Sequence, residues 1–486
     1  MELYGLQLEI MLVVLGIAGL LAEAFGRWID QRTLRGVLAA AAAGVFLYSL
    51  TLEPQAAPLF HGLYLFDGLA LLFKRLLLAG TAVVLALGMD FAPFRQEKGV
   101  EFQTLALFAA AGMLLLASVN EFVFLFVALE LLTICFYVLN SLQRNRPLAL
   151  EAGTKYLVMG ALSAALTVYG IAYVYGATGQ TQFDLIRPAL AAASGAAPAF
   201  RFGLGLVLLG LGFKLAMVPM QIWAPDVYQG APTPAVAFLA SGSKVAGFAL
   251  LLRLVCAGLL PAEKGWLLLV TALAGLTLLY GTLGAIAQTD LKRLLGYSSI
   301  AHTGYLLMGV ATGTVAGLAA TVYYLAQYLF TVLCVFLVIS TVGGKTENGE
   351  RAALAGLHRR APGLALALFV AVMSLAGVPP LSGALGKIFL LLTVVRQGGI
   401  DPTYYVLAGV GAVSVAISLY FYFLLLRAAF VEPAPAPAPI PPPAWPTRLA
   451  IGACLAVIVF LGLNPQPLLD AATDLLQPFA AAAGLR

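Results

Sequence analysis

The chain has 486 residues, 62% of them hydrophobic and 10% charged, with a formal net charge of +5. Soluble domains carry about 25% charged residues, so this composition, with a mean hydropathy of +0.97, excludes a soluble enzyme, a disordered chain and a nucleic-acid-binding protein. The bilayer is the solvent, and the basic residues lie scattered between apolar runs rather than in a nucleic-acid-binding patch.

A spanning helix needs about 20 apolar residues. Fourteen candidates follow along the chain, at roughly 8–25, 34–52, 64–89, 102–119, 121–140, 153–176, 202–223, 234–257, 266–287, 294–313, 316–342, 362–395, 403–427 and 448–466. They predict an all-α polytopic membrane protein. A β-barrel is excluded, because barrel strands alternate in polarity over about 10 residues and these runs are apolar throughout. The first run follows MELYGLQLE, an acidic leader where a signal peptide is basic, and reads as a retained span. The third carries Asp67, Lys74 and Arg75, whose cations are expected to snorkel or to pair with Asp67. Spans one to three occupy 1–101.

Further along, Glu130 sits inside FVALELLTICFYVL of span five. Lys155 opens span six in EAGTKYLVMG, where snorkelling is an alternative to a buried role. Span seven reads GLGFKLAMVPMQIWAPDVYQGAPTP, with Lys214 just before a break marked by Pro219, Pro225, Pro232 and Pro234. Lys244 lies in span eight, in ASGSKVAGF, and His302 in span ten, in SSIAHTGY, where a satisfied buried histidine is the plainer reading. Span twelve, MSLAGVPPLSGALGKIFLL, is interrupted by Gly377, Pro379 and Pro380, and Lys387 follows.

Proline removes a helix hydrogen bond and clashes with the preceding turn. Membranes tolerate that only where the backbone is buried in protein or lines a cavity. The two breaks are five spans apart. This predicts two five-helix repeats, spans 4–8 (102–257) and spans 9–13 (258–430), with broken helices 7 and 12. An odd number of helices per repeat inverts the second, and the working site falls near the breaks. A proline-rich loop over 431–447 is expected to be an extended polyproline II connector, and 448–486 holds the last span and a tail.

An ionisable side chain at mid-bilayer costs about 2.5–3.5 kcal/mol on insertion scales. Glu130, Lys214, Lys244 and Lys387 have no evident snorkelling route, so function is the better account of them. A desolvated amine releases its proton more readily, and a neighbouring carboxylate opposes that. A row of such groups is a proton relay. Metal binding fits poorly to one carboxylate among amines. Four cysteines (Cys135, Cys256, Cys334, Cys454) without a CxxC suit neither a disulfide framework nor an iron–sulfur cluster, and three histidines are too scattered for haem or zinc. GALGKI fails the P-loop pattern, and GLGLVLLGLG (203–212) has no preceding strand, so close helix packing explains it better than a dinucleotide site. Of the 27 basic residues, 15 fall in loops or span ends after odd-numbered spans and 6 after even-numbered ones, counting the tail. That bias puts odd loops in the cytoplasm and both termini outside.

The stretches FKLAMVPMQIWAPDVYQGAPTPAVAFLASGSKVAGF (213–248), ALELLTICFYVLN (128–140), KYLVMGALSAALTVYGIAYVYGATG (155–179) and QTDLKRLLGYSSIAHTGY (288–305) resemble the core of the N-type, antiporter-like membrane subunits of proton-pumping NADH:quinone oxidoreductase, respiratory complex I. The resemblance covers nearly the whole chain, and WAPDVYQGAPTP is specific, since the related M, L and Mrp subunits usually carry a WLPDAH-type segment there. It implies fourteen helices and one proton channel. It implies that Glu130 pairs with Lys214, that Lys244 connects two half-channels, that Lys387 serves the other exit, that Lys155 lies near Glu130, and that His302 sits on the central polar axis. Where the family often has histidine this chain has Gln221, which cannot titrate. The resemblance also implies no cofactor on this chain, with NADH, FMN, iron–sulfur clusters and quinone in partner subunits. Partners would be the K, M, J, L-type and A/H-type membrane subunits and lipid, with no nucleic acid, in a bacterial inner membrane. The chain is further expected to lack the long lateral helix of subunit L. A Mrp-type cation/proton antiporter subunit is the alternative, and a purely structural scaffold leaves the mid-membrane charges unexplained.

Overall fold

A computed structural model of the chain describes residues 2–25, 30–55, 57–94, 98–192, 195–259, 264–343, 349–433 and 440–480. Arg27, Arg95, Lys345 and Arg486, used above for orientation, lie outside them, as do residues 434–439 of the proline-rich loop. The described residues are almost wholly helical. The principal helices are α1 (Gln7–Phe25), α2 (Gln31–Ser49), α3 (Gly68–Asp90), α4 (Gly99–Ala117), α5 (Phe122–Asn140), α6 (Pro147–Thr178), α7 (Phe183–Ala192), α8 (Ala197–Leu215) and α9 (Ala224–Gly230). They continue with α10 (Thr233–Cys256), α11 (Gly265–Ile286), α12 (Leu291–Ala311), α13 (Val315–Gly343), α14 (Pro362–Ala376), α15 (Ser382–Gly398), α16 (Thr403–Phe430), α17 (Trp445–Leu463) and α18 (Gln466–Leu476).

Eleven of these helices are long and apolar enough to cross a membrane, so the chain is a multi-pass membrane protein. Three expected spans fall outside that set for a physical reason. Helix α2 opens with Gln31, Arg32 and Arg35, and α12 carries Lys292, Arg293, Ser298, Ser299, His302 and Thr303. Expected span twelve is cut into α14, of 15 residues, and α15, of 17. A helix enclosed by other helices has no need to be apolar toward lipid, and α12 is buried along nearly its whole length.

Both proline-marked breaks are present. Helix α8 ends at Ala216, which takes a left-handed conformation (φ 54°), and α9 begins eight residues later. Helix α14 ends at Gly377 (φ 89°), a conformation that costs a residue with a Cβ. A π-turn, Leu239–Ser243, interrupts α10 immediately before Lys244. Helix α13 is the central post, buried along most of its length and packed on α3, α10, α12, α14, α15, α17 and α18. Helices α6 and α8 pack backbone to backbone. A Cβ on Gly170 would lie 2.5 Å from the Gly203 carbonyl oxygen, and one on Gly203 would lie 2.7 Å from that of Gly170. The glycine run at 203–212 is therefore a packing surface, as its place inside an apolar helix implied. Outward faces of α1, α6 and α16 present Val14, Leu21, Val158, Leu162, Tyr420 and Phe423 to the surroundings.

Candidate functional site

The two helix breaks each present a lysine to the interior. Lys214 is the penultimate residue of α8 and only 6% exposed. Its amine donates to the Tyr156 hydroxyl at 3.3 Å and lies 5.5 Å from the Tyr156 ring and 5.3 Å from the Phe213 ring. Trp223, beyond the break, donates its indole N–H to the Phe213 carbonyl at 3.1 Å and closes the turn over the lysine. Glu130 on α5 is half-buried. No direct ion pair joins it to Lys214 among the described residues.

Lys387 on α15 answers the second break. It is 3% exposed, and its amine donates to the carbonyls of Leu375 at 2.7 Å and Ala376 at 3.0 Å, the last residues of α14. A helix C-terminus leaves carbonyls without intrahelical donors and carries partial negative charge, so a cation there is stabilised twice over. Gly377 makes the approach possible, since a Cβ at that position would meet Lys387 Cδ at 2.9 Å. The Tyr305 ring lies 5.1 Å from the amine.

Lys244 and His302 occupy the ground between. Lys244, just after the π-turn and 2% exposed, donates to the Ser299 hydroxyl at 2.6 Å and to the Ser299 carbonyl. The same hydroxyl meets the Tyr228 hydroxyl at 2.9 Å and accepts from Tyr328 at 3.1 Å. His302, one turn further along α12, is bonded at Nδ1 to Tyr324 (2.7 Å) and at Nε2 to Tyr422 (3.1 Å), and Tyr422 in turn to Ser298. The Tyr328 ring packs 4.9 Å from the imidazole. The histidine is thus both satisfied and part of a buried hydroxyl network.

Lys155 stands apart from this row. Its side chain is 41% exposed and bonded to Asp226 at 2.5 Å and Glu151 at 2.7 Å. Asp226 also receives Arg293 at 2.5 Å, so α6, α9 and α12 are clamped together by one carboxylate. Gln221 lies in the break, with its Oε1 buried and without a hydrogen-bond partner among the described residues.

In span three the expected pairing is replaced by another. Asp67 takes a bidentate bond from Arg253 at the end of α10, while Lys74 donates to Glu9 at 2.6 Å and to the Tyr64 hydroxyl. Arg75 turns to the carbonyls of Ser49 (3.1 Å) and Leu52 (2.9 Å). Sequence reasoning missed Glu9 because it sits in an acidic leader, and Arg253 because it lies at a span end. It missed Ser299, Tyr228, Tyr324, Tyr328 and Tyr422 because uncharged hydroxyls raise no cost in an apolar run. The only signal was SSIAHTGY, where two serines and a histidine crowd into eight residues of a span. All four cysteines are free and buried.

The arrangement joins Lys244 and His302 to Tyr228, Tyr324, Tyr328 and Tyr422 by hydrogen bonds and ring contacts, with Lys387 against the Tyr305 ring and Lys214 bonded to Tyr156. Residues 119–417 match the family model described as NADH:quinone oxidoreductase/Mrp antiporter, TM. A protein of Desulforamulus reducens named NADH-quinone oxidoreductase subunit N is 38% identical over 394 residues, 80% of this chain and 82% of that protein. One of Granulibacter bethesdensis with the same name is 35% identical over 466 residues, 95% of this chain and 96% of that one. A chain in a structure of respiratory complex I from Thermus thermophilus with bound aureothin superposes with a TM-score of 0.80 at 35% identity, covering 95% of this chain and 98% of that chain.

Proposed function

The chain belongs to the NADH:quinone oxidoreductase/Mrp antiporter membrane family, and from that membership we propose that it is the N-type proton-translocating subunit of an NADH:quinone oxidoreductase membrane arm. The observation that carries the mechanism is the pair of buried lysines at the two helix breaks, with Lys244 and His302 between them. Protons pass along Lys214, Lys244, the hydroxyl network around His302, and Lys387. Glu130 modulates Lys214 through space, and the Lys155–Asp226–Arg293 clamp fixes the helix that follows the first break. Redox chemistry with NADH, FMN, iron–sulfur clusters and quinone belongs to partner subunits.

Counting α2, α12 and the joined α14–α15 as spans gives fourteen, in two inverted five-helix units over 102–257 and 258–430. The arm 1–101, the proline-rich loop 431–447 and the segment 448–486 flank them. The odd-loop excess of basic residues supports both termini lying outside a bacterial inner membrane. Neighbours in the arm would be the K and M subunits, with the J, L-type and A/H-type subunits beyond.

The test is Lys214→Arg. Guanidinium keeps the charge but does not release its proton at any working pH. Assembly should survive, while proton uptake by vesicles bearing the complex should fall sharply along with coupled electron transfer. Normal pumping would reduce Lys214 to a fixed charge and sink the relay. A Mrp-type cation/proton antiporter is the second reading, and the family description favours keeping it. Purification without iron–sulfur subunits would select it.

A further inference from the structure

Ser299 lies where the two five-helix units meet. It sits on α12, and its hydroxyl touches Lys244 on α10 (2.6 Å), Tyr228 on α9 (2.9 Å) and Tyr328 on α13 (3.1 Å). All four side chains are buried. Lys244 has no carboxylate partner among the described residues, and its other acceptor is the backbone carbonyl of Ser299 itself. The lysine therefore leans on one serine for both of its hydrogen bonds.

A serine hydroxyl has one proton to donate and two lone pairs to accept with. When Lys244 is charged, its ammonium can only donate. Tyr328 also donates to Oγ, so both lone pairs are filled and the Ser299 proton must go to Tyr228. When Lys244 is neutral, its nitrogen lone pair can accept the Ser299 O–H. Oγ then accepts from both phenols, and the bond to Tyr228 runs the other way. The proton that leaves Lys244 is the translocated one. Within the hub no covalent bond changes and only O–H groups turn.

We propose that Ser299 is a positioning residue that acts as a hydrogen-bond switch, transmitting the protonation state of Lys244 to Tyr228 and so to the short helix α9. This rests on the relay reading above. Helix α9 follows the first break, and two residues before Tyr228 it carries Asp226, the carboxylate held by Lys155 and Arg293. The charge on the central lysine is thereby felt at the ion-pair clamp of the first unit, on the far side of a side chain that never ionises.

The experiment uses the whole complex in vesicles. Ser299→Ala keeps the backbone carbonyl for Lys244 and removes only the hydroxyl. Proton uptake and the coupled electron transfer should fall about tenfold, on the scale of one lost buried hydrogen bond. Ser299→Thr should restore pumping to within about twofold, since it returns the same donor and acceptors. Tyr228→Phe should reproduce the loss, and Tyr328→Phe should not. The protection of amides 224–230, taken relative to their intrinsic pH-dependent exchange rate, should depend on pH in the unaltered complex and lose that dependence in Ser299→Ala, which a merely structural serine would not cause. Normal pumping by Ser299→Ala overturns the switch, as do equal losses from the two tyrosine variants. Should Ser299→Ala fail to assemble, Tyr228→Phe decides alone, and its normal pumping overturns the proposal. Lys214→Arg separates the levels. If it is inactive while Ser299→Ala pumps normally, the switch falls and the relay stands. If Lys214→Arg itself pumps normally, the relay falls.

Discussion

The Glu9–Lys74 pair gives a sharp energetic test, because both partners lie in the N-terminal arm before the family-matched segment begins at residue 119. Lys74 is fully buried, bonded to Glu9 at 2.6 Å and flanked by the rings of Tyr64 and Phe66 at 4.8 and 4.9 Å. Lys74→Met keeps the volume and strands the carboxylate, whose second oxygen already lacks a partner among the described residues. Removing one member of a buried ion pair costs about 3–5 kcal/mol, whereas replacing both with apolar residues is often neutral. Lys74→Met and Glu9→Leu should therefore each destabilise by about 3 kcal/mol or more, while the double variant should recover most of that loss. The assay is chaotrope-driven release of the chain from the purified membrane arm, read as a double-mutant cycle. Additive losses, with a coupling below about 0.5 kcal/mol, would mean that the two charges stabilise nothing jointly and would refute the reasoning.

Other outcomes follow from the same geometry. Gly377→Ala forces a Cβ into a left-handed conformation and against Lys387, and should cost about 1–3 kcal/mol with reduced pumping, measured as assembly and proton uptake of the same preparation. Asp226→Asn removes the carboxylate that Lys155 and Arg293 share, leaving Lys155 to Glu151 and Arg293 to Gln229; since the clamp is partly exposed, stability should drop by about 1 kcal/mol or less, while amide exchange over 224–230 should quicken measurably. Gly203→Leu pushes a side chain into the α6 backbone and should abolish assembly, seen as loss of the chain from purified complex. Reporter fusions at Gly484 and in the 345–360 loop should give opposite topology signals, and a cytoplasmic signal at Gly484 would overturn the proposed orientation.

The scaffold was legible because lipid demands long apolar runs, and prolines inside them are too costly to be incidental. Both breaks fell where Pro219 and Pro379 marked them. Of the three spans that evade a hydropathy criterion, α12 is enclosed by protein, α2 starts with the exposed Gln31 and Arg32, and span twelve is split into two helices too short to qualify. Lys214, Lys244 and Lys387 stood out because a charge in an apolar run has a large cost. Their partners did not. Lys387 binds main-chain carbonyls, Lys244 binds a serine, and Lys74 reaches a glutamate 65 residues away. Backbone acceptors have no letter in a sequence, and Ser and Tyr are common in any helix. Lys155 carries the same letter and nearly the same context as the buried lysines, but it lies near the start of its helix, where exposure and Asp226 claim it.

The π-turn at Leu239–Ser243 sets the azimuth of everything after it on α10. An α-helix turns about 100° per residue, and a π-turn accommodates one extra residue without shifting the flanking axes. Were the same residues wound as regular α throughout, Lys244 would be rotated away from Ser299 by about that angle. The same rotation would swing Arg253 off Asp67, two and a half turns further along. One local dislocation thus phases both a lysine of the central row and the anchor of the N-terminal arm. Transplanting α10 between relatives would preserve function only where the extra residue and the turn that absorbs it travel together, however similar the side chains.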